Sequence, residues 1–574
     1  MFFGVLLLVA VGTFAASFIP FRMLQASARA NSARGQVPFF TPGFYHDMQL
    51  RLRVMALGNF LIAGVGFVFR ERAARIARQV VLDCGQMSSD FRTAARCLPK
   101  NEIVAVAVLT VWATVLRLPL LFQPIRGDEA YTFLTYASHP FYVGLSFYND
   151  TNNHLLNTLL MRVSYLLFGS HPWALRLPVF FAGIALVPAA YVAGRCLYSK
   201  TSALLGPAFV STASPLIEYS VNGRGYILMC LECLLLIPFA DYALRKRNLA
   251  AWAAVVALFA VGFFTIPIML YPFGGFVAWL LISILADRGI SKKRALTDLA
   301  VVVVLAGIVS VELYSPVFAI SGPHAVFGKK LAAPKPVSQF LYELPGSLVS
   351  TWAQWNRDIP AGVTIALVFG FVFALIFHRK LSSQRLPLPL AMLAWFVVVL
   401  TLQRVVPFER VWLFALPIFL VVCGAGLGLV LSPMFERVHV RQGVAILAVV
   451  TALLLGYQGK RTHSVYLANE GRGMEEVALY LKRQLKPGDS VVAVVPSDTL
   501  LLYHFGEHQV PASFLNASGG GQVFVIVDEH EGDTLQKVLE TAGRASLESA
   551  RAKLVAKYET ASLYEISREG KTLP

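Results

Sequence analysis

The chain has 574 residues, 56% of them hydrophobic and 14% charged, with a formal net charge of +17 and a mean hydropathy of +0.62. A soluble protein lacks the polar surface to cover so apolar a chain, so the composition points to a polytopic membrane protein. The Lys and Arg residues sit in short loops between apolar runs, with no basic stripe interleaved by aromatics, which argues against nucleic acid as a partner.

The first apolar run, residues 1–20, reads as an uncleaved anchor or a signal-like segment. A second, shorter run at residues 54–69 either crosses the membrane or lies in its interface, and the basic stretch 70–96 follows. If both runs cross, residues 70–100 are cytoplasmic. From Glu102 to Tyr457 the apolar runs give about 11 spanning helices, or about 13 with the N-terminal segments. The basic loops 195–200, 245–247, 287–294, 378–385 and 436–441 recur at every second turn, the signature of cytoplasmic loops. Three parts follow: an N-terminal extension (1–100), a transmembrane module (101–458) and an extracytoplasmic domain (459–574). Six cysteines are present, none in a segment placed on the outer side of the membrane, so no disulfide framework is implied. Cys230 and Cys233 stand one helical turn apart inside an apolar run and read as core residues.

Asp128 and Glu129 follow the first helix of the transmembrane module, at the depth where it surfaces. Ionisable groups at such a boundary are expensive and tend to be kept for chemistry or transport. The first turn of a helix favours an anion, and an ionised carboxylate there suits a general base toward a hydroxyl. Asp128, Thr132, Thr135 and His139 form one polar stripe on a helix that Pro140 ends. From His154 to Phe168 a second polar stripe backs a Leu-rich face, so this segment lies in the interface plane. On the same side lies 218–226, with Tyr219, Arg224 and Tyr226. Arg224 is either a fork gripping a phosphate or an arginine snorkelling to the interface. Glu409 and Arg410 form an acid–base pair at another helix end, as readily a simple ion pair as a site. Lys329 and Lys330, basic on the side the charge rule leaves poor in cations, suggest an anionic ligand or a solvated loop.

After Tyr457 the pattern changes to a small α/β domain. Helices are expected at 474–486 and 534–541, strands at 490–495, 522–527 and 561–566, and a turn at 486–489. Gly519-Gly520-Gly521 lacks a following Gly-Lys-Ser/Thr, so it reads as a linker and not as a phosphate loop.

Several of these residues together resemble the integral-membrane glycosyltransferases of the GT-C type, with glycosyltransferase family 39 closest. They are Gly127-Asp128-Glu129-Ala130-Tyr131, His154 opening a helix that ends Leu167-Phe168-Gly169, Ala174-Leu175-Arg176-Leu177-Pro178, Gly194-Arg195-Cys196-Leu197-Tyr198, and Tyr219-Ser220 before Arg224-Gly225-Tyr226. Family 39 includes the protein O-mannosyltransferases and the lipid A aminoarabinose transferases, and the C-terminal α/β domain resembles its bacterial branch. The resemblance is good over residues 102–245 and covers topology alone from there to Tyr457. It implies a polyprenyl-phosphate-linked sugar donor, a hydroxyl acceptor, inversion at the anomeric carbon, and a site on the periplasmic or outer face of a bacterial plasma membrane. Asp128 would be the base, Glu129 its acidic neighbour, and Arg224 the partner of the departing phosphate. Asn152-Asn153-His154-Leu155-Leu156 lacks the prolines many relatives have beside this histidine, and Gly225 stands where relatives often have Pro. No cofactor is certain, and one acidic pair with scattered histidines leaves a divalent metal undecided. The alternative is a transporter or flippase of a lipid-linked or anionic substrate, binding through Arg224, Lys329 and Lys330. Transporters usually carry internal repeats and midplane charges, whereas this sequence shows no repeat and its notable charges lie at one face.

Overall fold

The computed structural model describes residues 2–30, 40–198, 203–286, 291–328, 333–382, 384–431, 440–467, 471–517, 519–547 and 552–567. Among them 7 helices are long and apolar enough to cross a bilayer: Pro42–Val68, Lys100–Leu121, Pro172–Leu197, Tyr226–Lys246, Pro267–Ala286, Lys292–Leu313 and Gln442–Arg461. Leu249–Thr265, Ala361–Ile376, Leu388–Gln403 and Ala415–Leu431 are shorter apolar helices. Their buried side chains belong to the same continuous core as those of the long helices from Lys100 onward. The apolar stretch of Tyr226–Lys246 is 78% buried and runs through the middle of the bundle, whereas that of Lys292–Leu313 is 17% buried. An apolar helix so exposed faces lipid, because in water its bare Val and Leu side chains would be a large unsatisfied patch. The chain is therefore a multi-pass membrane protein.

The N-terminal runs differ in detail from expectation. Gly4–Ala16 and Phe21–Ser27 meet at a bend of 101°, with Pro20 at the break, where its ring and missing N–H stop a helix. The second run is part of a longer helix, Pro42–Val68, because Thr41 starts it early: its Oγ1 accepts the Phe44 N–H at 3.2 Å. The basic helix Arg70–Arg96 packs against the bundle end that carries the basic loops. There the Asp83 carboxylate accepts the Leu249 N–H at 2.6 Å, Asp90 accepts the Tyr242 hydroxyl at 2.9 Å, and Arg195 pairs with Glu102 at 2.6 Å.

Loops 122–154, 221–225 and 404–414 and the segments 315–328 and 333–358 gather at the other end, tied by Arg126–Glu218, Arg357–Glu218, the Ser347 hydroxyl donating to Pro407 O at 2.5 Å, and the Tyr148 N–H donated to Ser321 Oγ at 2.8 Å. Leu155–Phe168 has only 14 residues, too few for a bilayer core of about 30 Å. Its Arg162 donates to the carbonyls of Ala137 and Ser138 at 3.2 and 2.6 Å, which fits the interfacial placement.

The C-terminal sheet has strands β1 (Ser490–Val492), β2 (Val523–Asp528), β3 (Ala552–Tyr558) and β4 (Ala561–Ile566) in the order β1-β2-β4-β3. β1 and β2 are parallel, and the other neighbours are antiparallel. The three expected strands and both expected helices are present. β3, an edge strand interrupted by an irregularity between Leu554 and Ala556, and the helix Ser497–His508 were not anticipated. Neither has a clean apolar period, which is why the sequence hides them. Gly521 is no free linker, since its N–H donates to Gly488 O at 2.9 Å and holds the 519–521 stretch on the 486–489 turn. Every residue of β2 is buried. On one of its faces Phe524 and Ile526 share a cluster with Ile125, Ala130, Phe133, Met161 and Leu175. The sheet unit thus sits directly on the loop that carries Asp128.

Candidate active site

Arg126, in an extended conformation, caps a short helix, Gly127–Thr132. Glu129 is at its third position and turns back to accept the Arg126 N–H at 3.0 Å, one half of a capping box. The polar stripe expected to reach His139 instead passes into a π-helical turn, Phe133–Ala137, closed by the Ser138 N–H donating to Phe133 O at 2.8 Å. Gly127 permits the close approach of the C-terminal unit: a Cβ there would lie 2.9 Å from Pro496 Cβ.

The two neighbouring acids have different surroundings. Glu129 is buried and takes a two-pronged grip from Arg176, Nε to Oε1 at 2.9 Å and Nη2 to Oε2 at 2.6 Å, plus the Gly223 N–H. Burial alone would raise its pKa, but Arg176, Arg126 and the Gly223 N–H together hold it below the ordinary glutamate value. Asp128 keeps 44% of its side chain exposed and pairs with Arg224, whose own side chain is only 4% exposed. Asn152 joins them, donating to Asp128 Oδ1 at 3.0 Å and accepting from Arg224 Nη2 at 2.8 Å. The Arg224 Nε has no hydrogen-bond partner among the described residues.

Arg224 lies in the break between the helices Ser214–Ser220 and Tyr226–Lys246. Gly225 lets this break close on the interfacial helix, as a Cβ there would come 2.9 Å from Thr265 Cγ2 and 3.2 Å from His154 Cβ. The Gly225 N–H donates to His154 Nδ1 at 2.8 Å, and the Asn157 amide donates to Gly223 O at 2.6 Å. Tyr226 is the hub of the aromatic wall. Its ring meets His154 and Tyr219 edge-on, with centroids 5.0 and 5.2 Å apart, and lies under the Arg224 guanidinium at 5.4 Å. Arg410 reaches the same place: burial opposes its charge, but Tyr226, Tyr219 and Asp128 raise its pKa above the usual value.

The structure thus brings Asp128, Glu129, His154, Tyr219, Arg224, Tyr226 and Arg410 together. Lys329 and Lys330 lie outside the described residues. Five residues at the site carry roles that the sequence does not assign: Arg126, Asn152, Arg176, Glu218 and Arg357. Arg176 had a signal, since a charged side chain in a run of apolar residues needs a partner. The guanidiniums of Arg126, Arg176, Arg224, Arg357 and Arg410 surround the carboxylates of Asp128, Glu129 and Glu218. Among these groups positive charge is in excess, which favours an anion beside them. Asp128 and Glu129 are engaged by cations, and no set of three metal-ligating side chains surrounds Asp128 among the described residues.

His154 is held neutral. Burial first, then Arg224 and Arg410, push its pKa well below 6.5, and Nδ1 as acceptor puts the ring proton on Nε2. A histidine depressed in the folded state binds a proton more readily when unfolded. Its contribution to stability is complete above about pH 6.5 and declines as the pH falls from there toward the folded pKa, by at most about 1.4 kcal/mol per pH unit. Melting curves of the wild type are accordingly expected to lose stability between pH 6.5 and 5, and His154→Gln should flatten that loss. An unchanged slope in the variant would refute the assignment.

Residues 155–314 match the family model described as dolichyl-phosphate-mannose-protein mannosyltransferase. No curated protein matches the chain. Among solved structures, the fold is similar to that of ArnT from Cupriavidus metallidurans, both in the apo state and bound to undecaprenyl phosphate. In each case the identity is 14% and the TM-score 0.54, over 81% of this chain and 97% of that one. It is also similar to the apo oligosaccharyltransferase of Archaeoglobus fulgidus, with 10% identity and a TM-score of 0.51 over 74% of this chain and 69% of that one. The fold is of the GT-C type, shared with both of these proteins. The sequence similarity to the dolichyl-phosphate-mannose-protein mannosyltransferase model is confined to residues 155–314.

Proposed function

We propose that this chain moves a sugar from a polyprenyl phosphate carrier to a hydroxyl acceptor, with inversion at the anomeric carbon, at the outer face of a bacterial plasma membrane. The observation that carries this reading is the half-exposed Asp128 paired with the buried Arg224 at the polar end of an apolar bundle. The fold it shares with ArnT, a protein solved with undecaprenyl phosphate, favours such a carrier. Asp128 accepts the proton of the acceptor hydroxyl as its oxygen bonds to the anomeric carbon. The bond from that carbon to the phosphate oxygen breaks, and Arg224 and Arg410 compensate the charge on the departing phosphate. Without donor, Arg224 neutralises Asp128. When the phosphate arrives it takes over the guanidinium, and the carboxylate is released to act as base. Glu129 serves beside it by holding the loop in place. The acceptor is a hydroxyl of a glycan, a lipid or a protein.

The test uses purified protein in lipid nanodiscs with a panel of polyprenyl-phosphate sugars and an envelope extract as acceptor source. One donor is expected to release free polyprenyl phosphate, and Arg224→Ala should slow that release roughly 10²–10³-fold, the usual effect of losing one charge-stabilising donor. No release from any donor, with the protein folded, would sink the proposal.

A further inference from the structure

The C-terminal unit holds a cluster that the proposed chemistry does not use. His504 and His508 stand four residues apart on the helix Ser497–His508, so both project from one face. Glu475, in the first turn of the neighbouring helix Met474–Gln484, meets them from the side. One ligand atom from each of the three lies within 4.8 Å of the other two. His508 Nε2 and Glu475 Oε1 are 3.2 Å apart, which an ordinary histidine–carboxylate contact would explain.

His504 is not explained in that way. The residue is 3% exposed, and neither ring nitrogen has a hydrogen-bond partner among the described residues. A buried polar group left bare costs about 1–3 kcal/mol. Its Nδ1 faces Glu507 Oε2 at 3.7 Å, while Glu507 Oε1 accepts the Tyr503 hydroxyl at 3.1 Å. A carboxylate behind one nitrogen of a buried histidine, with the other nitrogen free, is the arrangement that orients a metal-binding imidazole.

We propose that Glu475, His504 and His508 hold one divalent transition-metal ion of the zinc class. His504 would ligate through Nε2 with its Nδ1–H directed to Glu507. Two imidazoles and one carboxylate suit zinc, whereas magnesium and calcium prefer an all-oxygen shell. Glu475 is exposed and the His508 side chain is 22% exposed, so an ion can enter from solvent and keep a water as its fourth ligand. The ion would join these two helices of the C-terminal unit. One of them already reaches the transmembrane module, since the Tyr503 hydroxyl donates to Ser170 O at 2.6 Å.

The test uses the full chain, purified with a tag free of histidine, stripped with a chelator and titrated with zinc against a chromophoric competitor. One zinc per chain is expected. His508→Ala should weaken binding at least about 100-fold, and Glu507→Gln about 10–100-fold, as is usual for the residue behind a ligand. Zinc should raise the melting temperature of the wild type and not that of His508→Ala or Glu475→Gln. Both of those side chains are at least partly exposed, so the variants avoid the folding risk of replacing buried His504, and size-exclusion chromatography verifies that they fold. A wild type that takes up no stoichiometric zinc, or folded variants that bind it unchanged, would overturn the proposal. Equal stabilisation by magnesium would overturn the zinc assignment.

Discussion

Asp128→Asn is expected to slow sugar transfer by about 10³-fold, within the range of 10²–10⁴ that a positioned base contributes, while leaving the fold intact. The side chain is 44% exposed, so an amide there is not forced into an apolar space. Its one remaining oxygen can keep the contact with Arg224, while the NH2 group replaces the oxygen that accepts from the Asn152 amide. The loss of stability should be about 1–3 kcal/mol, less than for a fully buried pair because the Asp128 side is half-exposed. Release of polyprenyl phosphate under single-turnover conditions measures the chemistry, and melting in the same nanodiscs measures the fold. The double variant Asp128→Asn/Arg224→Ala sharpens the test. Groups that act as one unit are not additive, so the double variant should be little slower than the worse single one. Transfer at the wild-type rate in Asp128→Asn would remove Asp128 from the mechanism.

Membrane character, the interfacial helix opened by His154 and the prominence of Asp128 and Arg224 are legible in the sequence, because each depends on local rules. Apolar run length gives spans, and an ionisable residue at a helix end stands out against its surroundings. Asp128 and Glu129 look equivalent as letters. Their difference arises because the third position of a helix lets a glutamate fold back onto the N-cap, while the second position leaves the aspartate facing outward. The spacing from Arg126 to Glu129 holds that signal, but Arg176, the partner that makes Glu129 a fixed point, is 47 residues away. The placement of the C-terminal unit is a similar case. Its contact runs through Pro496 and the helix Ser497–His508, whose mixed composition conceals both the helix and the face it turns to the Gly127 helix.

Glu129→Gln and Arg176→Met are expected to damage stability before chemistry. Arg176 and Glu129 are each 1% exposed in their side chains, and removing one partner of a buried ion pair costs about 3–5 kcal/mol because the other charge is left uncompensated. Arg176 also donates to the carbonyls of Leu121, Gln123 and Pro124 at 3.1, 2.8 and 2.8 Å, so it fixes the path from the first helix of the transmembrane module to the Gly127 helix. Arg176→Met leaves those three carbonyls without their donor and should be the more harmful of the two. Glu129 is held below the usual glutamate pKa, so its contribution is complete above about pH 4.3 and falls away only as acid drives the pH through the folded value. The pair is thus formed throughout the neutral range, and the effect should not vary between pH 6 and 8. The measurement is melting temperature together with transfer per folded molecule. A structural Glu129 lowers the first strongly and the second only as far as Asp128 is displaced. If Glu129→Gln melts like the wild type and still loses transfer as completely as Asp128→Asn, then both acids act on the substrate and the division between base and anchor is wrong.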